Sequence, residues 1–355
     1  MNKQFNVGLI GFGMAGRLFH APFISAVPGL QLRKIRETKQ PNIDIINHRY
    51  PAVQVVKESS EILADESIDL VVIATPNRTH FQLAKEALSA GKHVLVDKPF
   101  TVRSSEADEL ISLAKEKQRL LTVFQSRRWD SDFKTIQKVI GSGLLGKVAE
   151  YEAHYDRFRN TLRPGTWKED GDLGTGVLYD LGSHLLDQVL VLFGLPTAIT
   201  AQLRAQREGS RIVDNFELIL EYPQLKATVK GGMLVKEPLP RYIVLGNNGS
   251  FVKYGIDVQE EALIAGLTPE NTLNWGVEPE AIWGILNTEY NGIEFRGKVK
   301  SEAGDYRGLY QNVYDALCGN AALEVQPEHS RNIIRIIELA AQSSEEKRTV
   351  SCDWY

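Results

Sequence analysis

The segment VGLIGFGMAG, residues 7–16, decides the predicted fold of the first half of the chain. It joins an apolar strand to a complete G-x-G-x-x-G, and the residues after it have the apolar spacing of a helix. In such a turn the first glycine permits the tight bend, the second lets the backbone approach a pyrophosphate, and the third lets the helix pack closely on the strand. The helix N-terminus also offers unpaired N–H groups to phosphates. The segment therefore predicts a dinucleotide-binding turn.

Beyond this turn, apolar strands alternate with helical patterns. The strands predicted after residues 7–10 are 30–35, 53–56, 69–74, 93–96 and 120–124. Helical patterns are clearest at 79–90 and 104–117, and Ser104 or Ser105 is the predicted N-cap of the second. This alternation predicts an α/β domain over residues 1–124, with a doubly wound parallel sheet of the Rossmann type. Such a sheet binds its ligand at the carboxyl ends of the strands.

From residue 125 onwards, strands with period-two alternation replace the buried apolar runs. They are predicted at 150–155, 216–220, 226–229, 242–245 and 251–254, the last two joined by the turn Asn247-Asn248-Gly249, with 290–299 as a further edge strand. A final helix at 328–343 places Ile333, Ile336, Ile337 and Ala340 along one side. Residues 265–285, interrupted by proline and glycine, receive no assignment. Residues 125–355 are therefore predicted to form an α+β domain with a mostly antiparallel open sheet.

Composition excludes several classes of protein. The chain has 355 residues, a formal net charge of −4 and two cysteines, Cys318 and Cys352. This balance gives no indication of a nucleic-acid or membrane partner, and no apolar run approaches the roughly 20 residues of a membrane helix. Two cysteines imply no disulfide framework and fit a reducing compartment. We expect a globular cytoplasmic protein.

The end of the second strand bears on which dinucleotide binds. Residues Arg36, Glu37, Thr38 and Lys39 lie about twenty residues beyond Gly16, where the fingerprint places its ribose-binding residue. An acidic residue there takes the ribose hydroxyls of NAD, whereas cations nearby accommodate the extra phosphate of NADP. Glu37 favours NAD, and the other three residues form a phosphate clamp that favours NADP. A solvated charged loop is the alternative. The balance favours NADP(H) over NAD(H).

The ends of the fourth and fifth predicted strands complete the ligand-facing edge. The fourth is followed by Thr75, Pro76, Asn77 and His80, and the fifth by Asp97-Lys98-Pro99. A lysine after a buried strand lies on this edge, although a surface lysine in a turn is the plainer interpretation. The predicted cofactor contacts are Gly11, Phe12, Gly13, Met14, Gly16, Arg36, Glu37, Thr38, Lys39, Thr75, Pro76, Asn77, His80, Asp97 and Lys98.

Ionisable residues lie on an otherwise apolar segment in the second half of the chain. If residues from about 177 are helical, Asp180, His184 and Asp187 share one face. Buried ionisable groups are costly unless they are paired or used, and a histidine beside a carboxylate is suited to proton transfer. A core histidine satisfied by either aspartate is the alternative. No metal site is predicted, because nothing fixes the spacing of further ligands.

The glycine turn, Asp97-Lys98-Pro99 and the Asp180…His184 segment, in this order and spacing, resemble the Gfo/Idh/MocA family of oxidoreductases over essentially the whole chain. Residues 125–133 and 251–257 resemble the branch that contains NADP-dependent scyllo-inositol dehydrogenases. Two positions depart from the family pattern. Asp97 stands where glutamate is usual, and Thr175 interrupts the usual glycine triplet. Neither change removes a group that carries chemistry.

The resemblance implies an NAD(P)-dependent dehydrogenase with Lys98, Asp180 and His184 as its catalytic residues. It also implies that residues 125–355 bind substrate and build homodimers or homotetramers. Residues expected to line the substrate pocket are Arg127, Asp156, Trp167 and Tyr179, a polar and aromatic mixture that suits a polyol or sugar such as an inositol. Two alternatives keep the fold: a sensor that binds NADP(H) without turnover, and an NAD-dependent glycoside hydrolase.

Overall fold

The computed structural model describes residues 3–163, 165–169 and 171–354. The chain divides into two compact units, each assembled from three segments. The first unit contains residues 1–126, 260–273 and 306–332, and the second contains residues 127–259, 274–305 and 333–355. Two late segments of the chain therefore pack with the first unit.

Helices and strands alternate in the first half, and strands dominate the second. The helices are α1 Ala21–Ala26, α2 Gln40–Arg49, α3 Ser60–Leu63, α4 His80–Ser89, α5 Ser104–Lys117, α6 Ser131–Gly141, α7 Ser183–Phe193, α8 Gln259–Ile264, α9 Arg307–Cys318 and α10 Pro327–Glu346. The strands are β1 Phe5–Ile10, β2 Leu30–Arg36, β3 Gln54–Val56, β4 Leu70–Ile73, β5 His93–Val96, β6 Leu121–Val123, β7 Val148–His154, β8 Ala198–Arg204, β9 Asn215–Tyr222, β10 Leu225–Gly232, β11 Tyr242–Gly246, β12 Gly249–Lys253, β13 Gly284–Tyr290, β14 Ile293–Val299 and β15 Val350–Ser351.

The sheet of the first unit has six strands in the order β3-β2-β1-β4-β5-β6, and every pair is parallel. All four residues of β4 are buried, as is typical of a parallel sheet covered on both faces. The predicted Rossmann sheet is confirmed. Because the strand order reverses between β1 and β4, a crevice opens outside their carboxyl ends, where folds of this type bind ligands.

The turn after β1 is closed by contacts that only glycine permits. Gly11 has φ +101°, and a Cβ at this residue would lie 2.5 Å from the carbonyl oxygen of Ala74. A Cβ on Gly16 would lie 2.2 Å from the carbonyl oxygen of Gly11. The helix starts as a π-helical turn over Gly16–His20 and continues as α1. Its backbone therefore lies directly on the end of β1.

The start of α5 corrects one expectation. Its N-cap is Arg103, and Ser104 is already the first helical residue, so neither Ser104 nor Ser105 has the predicted role. The Glu106 carboxylate accepts the backbone N–H groups of Val102 and Arg103 at 3.2 and 3.3 Å. These bonds from within the first turn take the place of a serine cap.

Late segments of the chain complete the first unit. In α9, Leu309, Tyr310, Val313 and Tyr314 are buried. The Tyr314 hydroxyl donates to the carbonyl oxygen of Lys3 at 3.0 Å, and its ring meets Phe5 edge-on. The Thr122 hydroxyl of β6 donates to the carbonyl oxygen of Val325 at 2.8 Å.

The sheet of the second unit has nine strands in the order β14-β13-β12-β11-β7-β10-β9-β8-β15. Within this sheet, β7 and β10 form the only parallel pair among the described strands, so the predicted mostly antiparallel sheet is confirmed. Its buried face packs with residues of α6, α7 and α10 in one hydrophobic core. Ile333, Ile336, Ile337 and Ala340 of α10 are all at most 2% exposed, as their spacing predicts.

The edge of this sheet differs from the expectation of one strand over 290–299. Tyr290 ends β13, and Asn291 and Gly292, with φ of 52° and 76°, turn the chain into β14. The two strands form an antiparallel hairpin in which Tyr290 pairs with Ile293.

None of the helices in the described part of the chain combines the length and apolar character needed to cross a bilayer.

The glycine contacts predict opposite outcomes for two alanine substitutions. Gly16→Ala forces its Cβ against the Gly11 carbonyl, so we expect the free energy of unfolding to fall by about 1–3 kcal/mol, as for overpacking elsewhere. Gly13→Ala is the matched control, because a Cβ there meets no described atom within 4 Å. Urea unfolding of the full chain, followed by tryptophan fluorescence, measures both variants. Equal stability of the two proteins would contradict the packing role of Gly16.

Candidate active site

The glycine turn of the first unit has the shape that a dinucleotide needs. Gly13 faces open space, while Gly11 and Gly16 are held in close backbone contacts. This is the division of roles expected of a pyrophosphate-binding turn, so the residues present fit a bound dinucleotide. The Phe12 ring is buried edge-on against Tyr50, which leaves its backbone for ligand contact, and Met14 is 57% exposed.

At the end of β2, Glu37 organises the turn. One carboxylate oxygen accepts the backbone N–H groups of Thr38 and Lys39 at 2.7 and 2.9 Å, and the other accepts the Asn42 amide at 2.7 Å. Burial by itself would raise the pKa of Glu37, but the hydrogen bonds from Lys39, Asn42 and Thr38 outweigh it and lower the pKa. The ionised carboxylate is thus engaged by the turn, while the side chains of Thr38 and Lys39 remain exposed. Arg36 donates from Nε to the Lys57 carbonyl at 3.0 Å.

The ends of β4 and β5 are tied together by His80. This ring is completely buried, and its two nitrogens lie 2.8 Å from the Pro99 carbonyl oxygen and 2.9 Å from that of Thr75. Burial lowers the pKa of His80, opposed by the charge of Asp97. Pro76 and Asn77 directly follow Thr75; Pro76 precedes the 3-10 turn Asn77–Thr79, and Asn77 is its first residue. His80 therefore shapes the edge of the ligand site by holding two strand ends in place.

Asp97 connects Lys98 to a buried network. One Asp97 carboxylate oxygen accepts the Lys98 backbone N–H at 2.8 Å, and the other lies 3.6 Å from His20 Nε2. His20 Nδ1 lies 2.7 Å from the hydroxyl of Tyr310 in α9. Burial alone would raise the pKa of Asp97, but its neighbours His20 and Lys98 lower it. An ionised carboxylate thus fixes the backbone from which Lys98 extends.

In the second unit, the predicted polar stripe is split by the local backbone. Residues Leu178–Gly182 form a π-helical turn before α7, so the spacing expected for one continuous α-helix does not hold. Asp180 pairs with Lys168 at 3.3 Å. Asp187 is bound at both oxygens by the Arg128 guanidinium, at 2.8 and 2.7 Å. Asp187 therefore stabilises α7 through Arg128, and it is not the partner of His184.

His184 lies beside an aromatic ring surrounded by cations. It is 6% exposed and stacks on Tyr155, with ring centroids 6.3 Å apart. The guanidinium carbons of three arginines lie within 6 Å of the Tyr155 ring centre: Arg127 at 5.2 Å, Arg157 at 5.6 Å and Arg241 at 4.6 Å. The buried histidine thus lies against a ring that three arginines approach.

The residues expected to line the pocket are distributed unevenly. Arg127 contacts Tyr155 and binds Asp130 at 3.2 Å. Asp156 follows Tyr155 in the chain, and its carboxylate lies 2.9 Å from His154 Nδ1. Burial alone would lower the pKa of His154, but the carboxylates of Asp156 and Glu152 outweigh it and raise the pKa. Tyr179 is buried within the π-helical turn. The Lys168 ammonium lies over the Trp167 ring, 5.8 Å from its centre. Arg127 and His184 are thus brought to one ring, whereas Asp156 is engaged by a histidine of β7.

Several groups at these sites had no sequence signal. Tyr155 ends a predicted strand, yet nothing in the pattern marks it as the ring on which His184 and three arginines meet. His20 and Tyr310 are 290 positions apart, so their contact appears only in the folded chain. Arg241 precedes a predicted hairpin strand, where a charged residue is ordinarily assigned to the surface. Within the described ranges, no set of three His, Cys, Asp or Glu side chains is placed to hold a metal ion.

Comparison with known proteins agrees with this architecture. Residues 5–125 match the model of an oxidoreductase family with an NAD-binding Rossmann fold, and residues 137–352 match the C-terminal alpha/beta domain of the same family. The chain is 42% identical to the uncharacterized oxidoreductase YdgJ of Escherichia coli K12 over 99% of each chain. It is 40% identical to scyllo-inositol 2-dehydrogenase (NADP(+)) IolW of Bacillus subtilis 168, over 97% of this chain and 95% of that one.

Solved structures give the same result. The oxidoreductase yvaA of Bacillus subtilis superposes with a TM-score of 0.95 at 39% identity, covering 99% of both chains. An oxidoreductase of Yersinia pestis superposes with a TM-score of 0.92 at 39% identity, covering 99% of this chain and 98% of the other. The chain, an NAD(P)-dependent dehydrogenase by its fold and its relatives, therefore belongs to the Gfo/Idh/MocA family of oxidoreductases.

Proposed function

We propose that the chain oxidises a secondary alcohol of a polyol or sugar with NADP, and reduces the corresponding ketone in the reverse direction. An inositol is the first substrate to consider, because the relative IolW is named a scyllo-inositol 2-dehydrogenase. The observation that carries the proposal is Lys98, whose backbone N–H is held by the half-buried Asp97 at the carboxyl end of β5, in a sheet whose glycine turn fits a dinucleotide. His184, buried beside Tyr155, supplies a group able to move a proton.

Each residue has a separate task in this reaction. A bound nicotinamide ring supplies the chemistry of hydride transfer. One ring nitrogen of His184 takes the proton of the reacting hydroxyl, and returns it in the reductive direction. The Lys98 ammonium donates a hydrogen bond to the same oxygen and stabilises its developing negative charge. Asp180 orients His184 or accepts a hydrogen bond from a neighbouring hydroxyl.

The end of β2 supports NADP as the preferred cofactor. Glu37 is the acidic residue that would favour NAD, but both of its oxygens already accept hydrogen bonds within its own turn. That turn presents Thr38 and Lys39 to solvent beside Arg36, a group suited to a 2′-phosphate. The name of IolW specifies NADP(+) for that relative. A homodimer or homotetramer in the cytoplasm remains our prediction for the assembled protein.

Loss of the Lys98 ammonium should slow the chemical step and spare cofactor binding. We expect Lys98→Met to lower kcat by about 100-fold or more, the order found when one transition-state donor is removed, with little change in the Kd for NADPH. Lys117→Met, an exposed lysine of α5, is the matched control and should retain full kcat. Steady-state kinetics with scyllo-inositol and fluorescence titration of NADPH measure the two quantities. An unchanged kcat removes Lys98 from the mechanism.

Replacement of His184 should change the pH profile as well as the rate. His184→Asn keeps a polar side chain of similar size but cannot take a proton, so we expect kcat to fall by about 100-fold or more. The decrease of kcat at acidic pH, caused by protonation of the base, should disappear in this variant. A pH profile parallel to that of the unmodified enzyme would assign the proton transfer to another group.

A single substitution at Lys39 should change the preference between NADP and NAD. We expect Lys39→Ala to lower kcat/KM for NADP by about tenfold or more, the value of one charge-assisted hydrogen bond, and to leave kcat/KM for NAD nearly unchanged. The ratio of the two constants is the quantity to measure. Equal losses with both cofactors would show that Lys39 supports the turn and does not recognise the 2′-phosphate.

Two other activities of the same fold give distinct results in these assays. A sensor binds NADP(H) saturably and oxidises no member of a panel of inositols and aldoses. An NAD-dependent glycoside hydrolase holds its cofactor tightly and cleaves a glycoside with no net change in nicotinamide absorbance. The first assay is therefore reduction of NADP and of NAD against this panel.

A further inference from the structure

The arginines around Tyr155 differ in whether a carboxylate neutralises them. Arg127 binds Asp130 at 3.2 Å, and Arg241 lies 3.4 Å from Asp132. Arg157, the third arginine on the ring, has no carboxylate within ion-pair distance in the described part of the chain. Arg157, which is half-buried, therefore lacks a counter-charge among the described residues.

The segment that follows Tyr155 carries a second arginine without an ion pair among the described residues. Arg159 is half-buried, and no described carboxylate lies within ion-pair distance of it. Arg207 pairs with two carboxylates, those of Glu169 and Asp214, each at 2.9 Å. Burial, followed by the charges of Arg163 and Arg157, lowers the pKa of Arg159. Cations that are crowded and partly desolvated in this way are stabilised by an added anion.

An unsatisfied donor gives a second, independent indication. Nη2 of Arg241 is buried and has no hydrogen-bond partner, although Nη1 of the same group donates to the His154 carbonyl. A buried charged donor without an acceptor is costly, and natural structures seldom retain one without a role. The Arg241 guanidinium lies 4.6 Å from the Tyr155 ring centre, on the ring that also stacks with His184.

We propose that the substrate is an anionic polyol, whose carboxylate or phosphate is bound by Arg157 and Arg159 next to His184. This inference rests on the proposed function, since it places the anion beside the group that takes the hydroxyl proton. The planar guanidinium matches the oxygens of a carboxylate or a phosphate in a bidentate manner. Arg241, 4.6 Å from the Tyr155 ring centre, adds positive potential. A neutral inositol would leave these charges without a counter-ion and would bind less tightly.

Binding can be tested without turnover. Isothermal titration calorimetry of the NADPH-loaded protein, which cannot oxidise an alcohol, compares two anionic probes, myo-inositol 1-phosphate and D-glucuronate, with their neutral counterparts, myo-inositol and D-glucose. We expect at least one anionic probe to bind ten times or more tightly than its neutral counterpart. The affinity should weaken with salt, because charge carries it. The phosphate and carboxylate probes distinguish the two kinds of acidic substrate.

Variants connect the preference to the arginines. Arg157→Gln and Arg159→Gln should each raise the Kd of the preferred anionic probe by about 10- to 100-fold and leave the neutral probe unchanged. Neither side chain has an ion pair to lose among the described residues, so the fold should persist, which thermal unfolding checks. Arg296→Gln, on the exposed edge strand β14, is the control and should change neither Kd.

Three results would overturn the inference: equal affinity for charged and neutral probes, no saturable binding of either anionic probe, or equal effects of Arg157→Gln and Arg296→Gln. Oxidation is measured separately, as NADP reduction with the same four compounds. Rapid oxidation of a neutral polyol with no preference for the anionic compounds upholds the dehydrogenase and rejects the anion site. Arginine-dependent anion binding without oxidation of any compound upholds the anion site and rejects the dehydrogenase.

Discussion

The first unit depends on the close approach of Gly16 to the Gly11 carbonyl. No side chain fits between them, because even a methyl group would lie 2.2 Å from the oxygen. Gly11 is held in turn against the Ala74 carbonyl, so the ends of β1 and β4 and the start of the first helix share one set of backbone contacts. The same contacts open the space beside Gly13. The packing of the fold and the cradle for a dinucleotide therefore have one physical cause.

Charged side chains with little solvent around them form a second constraint on both units. In the first unit, Asp97 is balanced by its neighbours His20 and Lys98, so the carboxylate acts as a rigid support for the lysine backbone. In the second unit, the buried Arg127, Arg207 and Arg241 each pair with a carboxylate, whereas the half-buried Arg157 beside Tyr155 has none within ion-pair distance among the described residues. A partly desolvated charge without a counter-charge is costly, and sites that bind or react are where this cost is commonly found.

The sequence predicts elements whose cause is local. The six parallel strands follow from apolar runs such as that of β4, and the buried side of α10 follows from its 3.6-residue spacing. The glycine turn and Lys98 were recognisable because their motifs are contiguous. A contact with a distant residue is not predictable in this way: Asp187 is bound by Arg128, which lies 59 residues away in the sequence. The sequence pattern also does not predict the π-helical turn that changes the spacing before His184. The start of α5 was missed because Glu106, acting from inside the helix, replaces a serine cap.

The contacts of α9 with the first unit also set an order of events during synthesis. The ribosome releases β6 long before α9, since about 190 residues separate Val123 from Tyr310. At the usual 5–20 residues per second this interval lasts about 10–40 s. Throughout it, Phe5 and His20 lack the tyrosines that later cover them. During this interval the nascent Rossmann sheet exposes an apolar face to solvent, and a chaperone can bind to that face.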